Sequence, residues 1–257
     1  MKIIFDSNVW QIITIPENFP DDPFQDDFKI IRQAIIDKKI KAFLSETIFT
    51  IEAIRKVERQ DYFASRKAKI DITENETSNG WINSTFTIRP EKGIDFNERP
   101  ILKKYFDEAL KLGFKVIRLP RIAGMVNEEI ESLRYKQTGD ELNLYLEKVS
   151  EVIGEIENLG AGKAQIDAIG KLYDPIAMKG LKKAPATERN KIAKAAAEWA
   201  DGDSVAISIA MNCDYFCTRD QAKGAGSKSV LSVSNLAWLR TNYNFETILP
   251  ENLSKLV

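Results

Sequence analysis

Lys2-Ile3-Ile4-Phe5-Asp6-Ser7-Asn8 opens the chain, an apolar run of strand length stopped by a carboxylate. In open α/β sheets ligands bind in the crevice at the carboxyl ends of the strands, and Asp6 falls at that position. Reading outward, Phe24 to Asp37 carries apolar residues at Phe24, Phe28, Ile31, Ala34 and Ile35, a helical period, and Ile40 to Leu44 is a short apolar strand. Ser45 is placed to cap a helix through Ile48, Ile51, Ala53, Ile54 and Val57, with Glu46 in its first turn and Glu52 inside it. Strand, helix, strand, helix within the opening stretch predicts an α/β fold whose central parallel sheet is joined by helical crossovers.

Farther along, Asp61 to Arg99 is polar and rich in Asn and Thr, with an alternating stretch from Trp81 to Ile88 that reads as a strand or half of a hairpin. Pro100 opens a helix through Gly113, and Phe114 to Leu119 reads as a core strand ending at Pro120. Charged helical segments between Asn127 and Lys171, such as Asp140 to Glu157, predict a helical hairpin or cap. The α/β pattern then returns. Thr187 to Ala200 is a helix, Asp203 opens a second and apolar helix through Asn212, and Asp214 to Thr218 is a strand. Thr247 to Leu249 is a last strand before a helix begun by Pro250. The expectation is one domain over 1–257, with a core of roughly 1–60, 101–120 and 190–257 and elaborations of roughly 61–100 and 121–189.

Composition narrows the chemistry. Of 257 residues, 44% are hydrophobic and 29% charged, enough for a sizeable core. Thirty-seven basic residues against 38 acidic leave a net charge of −1, so any binding of nucleic acid must use a local patch. The chain has no histidine, which excludes Ser-His and Cys-His catalysis and leaves a hard cation held by carboxylates as the natural hydrolytic chemistry. Cys213 and Cys217 lack the four soft ligands of a zinc site. With no secretory leader and no apolar run near the ~20 residues of a membrane span, a cytoplasmic location and no membrane association are expected. Gly160-Ala161-Gly162-Lys163 has Glu157 and Ala164 where a phosphate loop needs Gly and Ser or Thr, so it is read as a turn.

The acids Asp6, Glu52, Asp203 and Asp220 each have an ordinary explanation. Asp6, Asp203 and Asp220 would cap the elements that follow them, Glu52 would be a solvated helix charge, and Asp201 competes with Asp203 for its place. Their combination is more specific. Ile-Ile-Phe-Asp6-Ser-Asn, Leu-Ser45 with Glu52, Gly-Asp203-Ser-Val-Ala-Ile and Cys-Thr218-Arg-Asp220 together resemble the PIN-domain family of metal-dependent nucleases. Thr247-Ile248-Leu249-Pro250-Glu251-Asn252-Leu253 is similar to that family's last strand and helix.

The resemblance covers the two ends of the chain and implies a three-layer fold, a parallel sheet flanked by helices, here with a mainly helical insertion or cap. It further implies an endonuclease, first of all an endoribonuclease, in which Asp6, Glu52, Asp203 and Asp220 hold Mg²⁺ or Mn²⁺ that polarises the phosphate and generates a hydroxide nucleophile. Asn8, Thr218 and Asp201 would orient those ligands from outside. Lys179, Lys182, Lys183, Arg189, Lys191 and Lys194 would contact the backbone of RNA or DNA, or equally form a solvated face balanced by Glu188 and Glu198. The implied partners are the nucleic acid, an inhibitory protein such as an antitoxin, and a second copy in a homodimer. A catalytically silent RNA-binding or scaffold module is the alternative. A haloacid-dehalogenase-like phosphatase is another, although it needs an Asp where Asn8 stands.

Overall fold

The computed structural model describes residues 1–65, 68–90, 100–119, 134–220 and 226–257. Pro120 and the part of the expected cap up to residue 133 lie outside them. In chain order the strands are β1 (Lys2–Phe5), β2 (Lys41–Ser45), β3 (Ala68–Glu76), β4 (Ile82–Pro90), β5 (Lys115–Ile117), β6 (Tyr215–Cys217) and β7 (Thr247–Ile248). The helices are α1 (Ser7–Thr14), α2 (Gln25–Ile36), α3 (Arg59–Ser65), α4 (Pro100–Leu112), α5 (Gly139–Asn158), α6 (Lys163–Lys171), α7 (Ala177–Lys183), α8 (Arg189–Ala210), α9 (Val233–Tyr243) and α10 (Pro250–Leu253). Five strands form an all-parallel sheet in the order β5-β2-β1-β6-β7, and β3 pairs antiparallel with β4 as a separate ribbon. The chain steps outward from β1 through β2 to β5, then returns to lay β6 on the other side of β1. That reversal makes the β1/β6 boundary the topological switch point, where such sheets open a crevice.

Side chains alternate across the strands, and the alternation assigns them to two layers. Ile3, Phe5, Ala42, Leu44, Val116 and Cys217 pack on one face with Trp10 and Ile13 of α1, Phe28 and Ile31 of α2, and Ala109 of α4. Ile4, Phe43, Ile117 and Phe216 pack on the other with Val149 and Val152 of α5, Val205 and Ile207 of α8, and Leu239 of α9. Helix α5, from the stretch read as an elaboration, therefore belongs to the layer that covers the sheet. Its start is a capping box, Thr138 and Glu141 exchanging side-chain and backbone bonds. A third cluster joins Ile51, Ile54, Phe63, Ile166 and Leu181 to Ala196 and Trp199 in the first half of α8. Among the described residues no helix is long and apolar enough to cross a membrane.

Three local expectations need correction. Asp203 does not open a helix, because α8 runs unbroken from Arg189 to Ala210. Glycine in a helix interior costs about 1 kcal/mol relative to alanine, yet Gly202 is followed and preceded by buried turns at Ala196, Trp199, Ala200, Val205, Ala206 and Ile207. Gly202 is also required there, since a Cβ would stand 2.9 Å from Gly162 Cα. Ser45, in turn, caps no helix. It is the last residue of β2, its hydroxyl accepts from the Thr47 amide at 3.2 Å and hydroxyl at 2.9 Å, and the expected helix shrinks to one π-helical turn, Ile48–Glu52. That wide turn lets Ile48 enter the first core cluster while Ile51 enters the third. Nor does Glu46 stand in the first turn of a helix. It is 1% exposed, accepts from the Leu119 amide at 2.7 Å, and forms a buried ion pair with Arg134.

Helices α6 and α7 meet through glycines. A Cβ on Gly180 would stand 1.8 Å from the Gly170 carbonyl oxygen, whereas one on Gly154 in α5 would meet nothing within 4 Å. Gly180→Ala is expected to destabilise the protein by about 1–3 kcal/mol through overpacking, and Gly154→Ala to stabilise it by about 0.5–1 kcal/mol. Urea unfolding of the two variants beside wild type checks the opposite signs.

Candidate functional site

The site begins where β1 ends. The Asp6 amide donates to the Cys217 carbonyl at 2.9 Å, which locks the carboxyl ends of β1 and β6 together. Asp6 also caps α1, its Oδ1 accepting from the Ser7 amide at 2.6 Å. Its other oxygen, Oδ2, accepts from the Thr218 hydroxyl at 2.5 Å and from the Asn8 amide nitrogen at 2.8 Å. Thr218 Oγ1 then accepts from the Asp220 amide at 2.9 Å, and Asn8 Oδ1 from the Arg219 amide at 3.1 Å. Capping and site-building are thus carried by different oxygens of one carboxylate. Asn8 and Thr218 both donate to Asp6, and the loop after β6 is folded back so that Asp220 adds its charge to that of Asp6.

Helix α8 brings the third element. Asp201, half-buried there, feels the charges of Asp6, Glu198, Glu52 and Asp220. Loss of water, reinforced by those four charges, raises its carboxyl well above the usual range. Burial likewise raises Asp6 and Asp220 adds to the shift, while the hydrogen bonds from Thr218 and Ser7 oppose it. The structure therefore gathers Asp6, Glu52, Asp201 and Asp220, together with Glu198, in one electrostatic neighbourhood at the switch point.

Asp203 takes another direction. Two residues along a helix turn the side chain by about 200°, so Asp201 and Asp203 leave α8 on nearly opposite sides. Asp203 is 1% exposed, and with Glu46 its charge raises the Tyr145 phenol, on which burial acts first.

Glu198 was read as a surface counter-charge and is a buried part of the site instead. It is 9% exposed and accepts from the Val230 amide at 2.5 Å. Burial raises its carboxyl, against hydrogen bonds from Val230, Ser229 and the Gly162 amide. Glu198 therefore pins two loops to α8. The signal that finds it is spacing: three residues before Asp201, it shares the same helical face.

Lys179, Lys182, Lys183, Arg189, Lys191 and Lys194 are all exposed. Lys183 pairs with Asp174, Arg189 lies 3.8 Å from Asp61 and Lys191 3.0 Å from Glu188. Lys191 and Lys194 also line a groove of about 540 Å³ with Lys228, Gln165, Ile169 and Leu172. The Gly160-to-Lys163 segment is a turn between α5 and α6, with Gly160 and Gly162 at φ 75° and 59°. Burial pushes the Cys213 thiol up to about 12 and raises Cys217 as well, so neither is a ready nucleophile at neutral pH.

Among the described residues no group of three or more Cys, Asp and Glu side chains stands close enough together to hold a metal ion as they are placed. Comparisons with protein-family models, with curated proteins and with solved structures find no match to this chain.

The raised acids have a pH signature. Because Asp201 holds its proton more tightly folded than unfolded, its contribution to stability falls as pH rises above the ordinary carboxylate value. In EDTA, Asp201→Asn is expected to melt about 2–4 °C above wild type near pH 8, as relief of roughly 1 kcal/mol implies for a chain of this size. The gap should close toward pH 4. Thermal melts across that range check it, and a variant melting below wild type near pH 8 would remove Asp201 from the repelling cluster.

Proposed function

We propose that this chain is a Mg²⁺- or Mn²⁺-dependent endonuclease, RNA being the first substrate to test and DNA the second, with Asp6, Glu52, Asp201 and Asp220 as the acids that would hold the cation. The observation that carries the reading is the gathering of repelling carboxylates at the switch point: burial raises Asp6, with the charge of Asp220 adding to it, and burial raises Asp201, with the charges of Asp6, Glu198, Glu52 and Asp220 adding to it. Such a donor set, oxygen only and rich in negative charge, suits a hard divalent cation. A bound cation supplies charge that polarises a phosphoryl oxygen and eases the ionisation of water at neutral pH.

The chain's own residues prepare that chemistry. Thr218 and Asn8 hold Asp6 Oδ2 in one orientation, and outer contacts of this kind set the direction of a ligating carboxylate. Glu198 fixes the Val230 and Gly162 backbones to α8 and so steadies Asp201. Lys194 lies on the same face of α8 as Asp201, seven positions or about 10 Å along the axis, and supports a phosphate backbone running from the lysine-lined groove toward the acids.

Asn8 weighs against the phosphatase reading, since its amide is committed to Asp6 and to the Arg219 backbone. The clustered acids weigh against a catalytically silent module, which has no use for repelling charges. Mn²⁺ is expected to support cleavage of single-stranded RNA that excess EDTA abolishes, leaving 5′-phosphate and 3′-hydroxyl ends. Asp6→Asn and Asp201→Asn should each lower the rate by about 100-fold or more. Mn²⁺ should also raise the melting temperature of wild type and of Asp203→Asn, but not of Asp201→Asn. Cleavage surviving EDTA, or a 2′,3′-cyclic phosphate end, would overturn the reading.

A further inference from the structure

Strands β3 and β4 form a long ribbon in register from Ala68 opposite Pro90 to Glu76 opposite Ile82, and among the described residues neither strand joins the central sheet. A two-stranded ribbon is at best marginal alone in water. This one displays Ile70, Ile72 and Ile82 at 58%, 57% and 65% exposure, with Trp81 at 75% beside the turn. The register partners of Ile70 and Ile72 are Ile88 and Phe86. An apolar ribbon of this kind calls for further strands.

The backbone says which way its free groups point. The Thr77 amide donates to the Trp81 carbonyl at 2.7 Å, so that pair is a hydrogen-bonded one. Bonded and non-bonded pairs alternate along an antiparallel ladder. Asn83, Thr85 and Thr87 therefore bond to β3, while Ile82, Ser84, Phe86 and Ile88 turn their N–H and C=O groups to the outer edge of β4.

The two edges of the ribbon are defended differently. Strand β3 carries Lys69, Asp71, Glu74 and Glu76, whereas Ile82-Asn83-Ser84-Thr85-Phe86-Thr87-Ile88 has no charge, no proline and no glycine. Charge and proline are the usual protections of an edge strand, and β4 lacks both until Arg89-Pro90. We propose that the edge of β4 is an interaction surface for a second copy of this chain, pairing antiparallel across a two-fold axis at Thr85.

The segment is its own complement about that axis. Ile82 meets Ile88 of the second copy, Asn83 meets Thr87, Ser84 meets Phe86, and Thr85 meets Thr85. Outward-facing positions meet outward-facing positions, as the hydrogen-bond alternation requires. Shifting the axis to either neighbouring even position would leave part of the uncharged segment opposite the turn or Pro90. Seven neutral positions approach without like-charge repulsion, whereas the same pairing of two β3 edges would carry Asp71, Glu74 and Glu76 from both copies into the interface, with only Lys69 of opposite sign. The product is a four-stranded sheet closed by a two-fold, the commonest symmetry of soluble oligomers. This inference does not rest on the nuclease reading.

The test uses the full chain. Sedimentation from about 1 to 100 µM should show wild type as a dimer at the upper end, a range set by the micromolar affinities of modest interfaces. Thr85→Lys places two ammonium groups face to face and should be monomeric throughout with an unchanged circular dichroism spectrum. At the axis, facing Cα atoms are about 4.5 Å apart, within disulfide reach. Mild oxidation should therefore cross-link Thr85→Cys, and neither wild type, with its own Cys213 and Cys217, nor Asn83→Cys. A wild type that stays monomeric over this range, a Thr85→Lys variant that stays dimeric, or cross-linking of Asn83→Cys in preference to Thr85→Cys would each overturn the proposal.

Discussion

The hydrogen bond from Thr218 to Asp6 Oδ2, 2.5 Å long, joins the carboxyl ends of the two central strands. Asp6 is 8% exposed and Thr218 1%. A buried carboxylate is costly unless its charge is met by donors, and Thr218, Asn8 and the Ser7 amide supply them on both oxygens. The same hydroxyl accepts from the Asp220 amide, so one threonine holds the first acid and positions the last. The topology opens the crevice at the β1/β6 boundary, and this clasp sets where the acids stand in it.

Helix α8 sets the depth and direction of everything that approaches the crevice. Its length buries alanines and Trp199 in one cluster and Val205, Ala206 and Ile207 in another, so the helix cannot slide without opening both. Gly202 against Gly162 brings the α5–α6 turn close to its backbone. Glu198 then fastens that turn and the Val230 loop to the same face that carries Asp201. The opposite side of α8 serves stability instead. There Asp203 lies buried near Tyr145 and Glu46, and Ser204 shares a hydrogen bond with Thr47 at 3.1 Å. Two acids a single glycine apart therefore occupy different environments.

Much of the architecture was legible because strands of two-sided burial have a simple signature. Lys2–Phe5, Lys41–Ser45, Lys115–Ile117 and Tyr215–Cys217 each come from a short apolar run beside a helical one, and a parallel sheet is the arrangement that buries both faces of such strands. Asp6, Asn8, Thr218 and Asp220 were legible together for the same reason, since residues that follow β1 and β6 must meet at their shared end. Less legible was anything decided by which side of a helix turns inward. Asp201-Gly202-Asp203 looks like a helix boundary in one dimension, and the bonds that keep it helical belong to packing on residues far away in the chain.

The sequence by itself determined the α/β class, the parallel sheet and the placing of an acid after each central strand, because side-chain alternation and helical period are local properties of the chain. Only the tertiary structure decided that Asp201 joins the acids at the crevice while Asp203 turns to Tyr145, that Glu198 is buried, and that Glu46 pairs with Arg134. Each of these turns on the rotation of a side chain about its element and on what a distant segment brings against it. Neither quantity is encoded within the few residues around the acid itself.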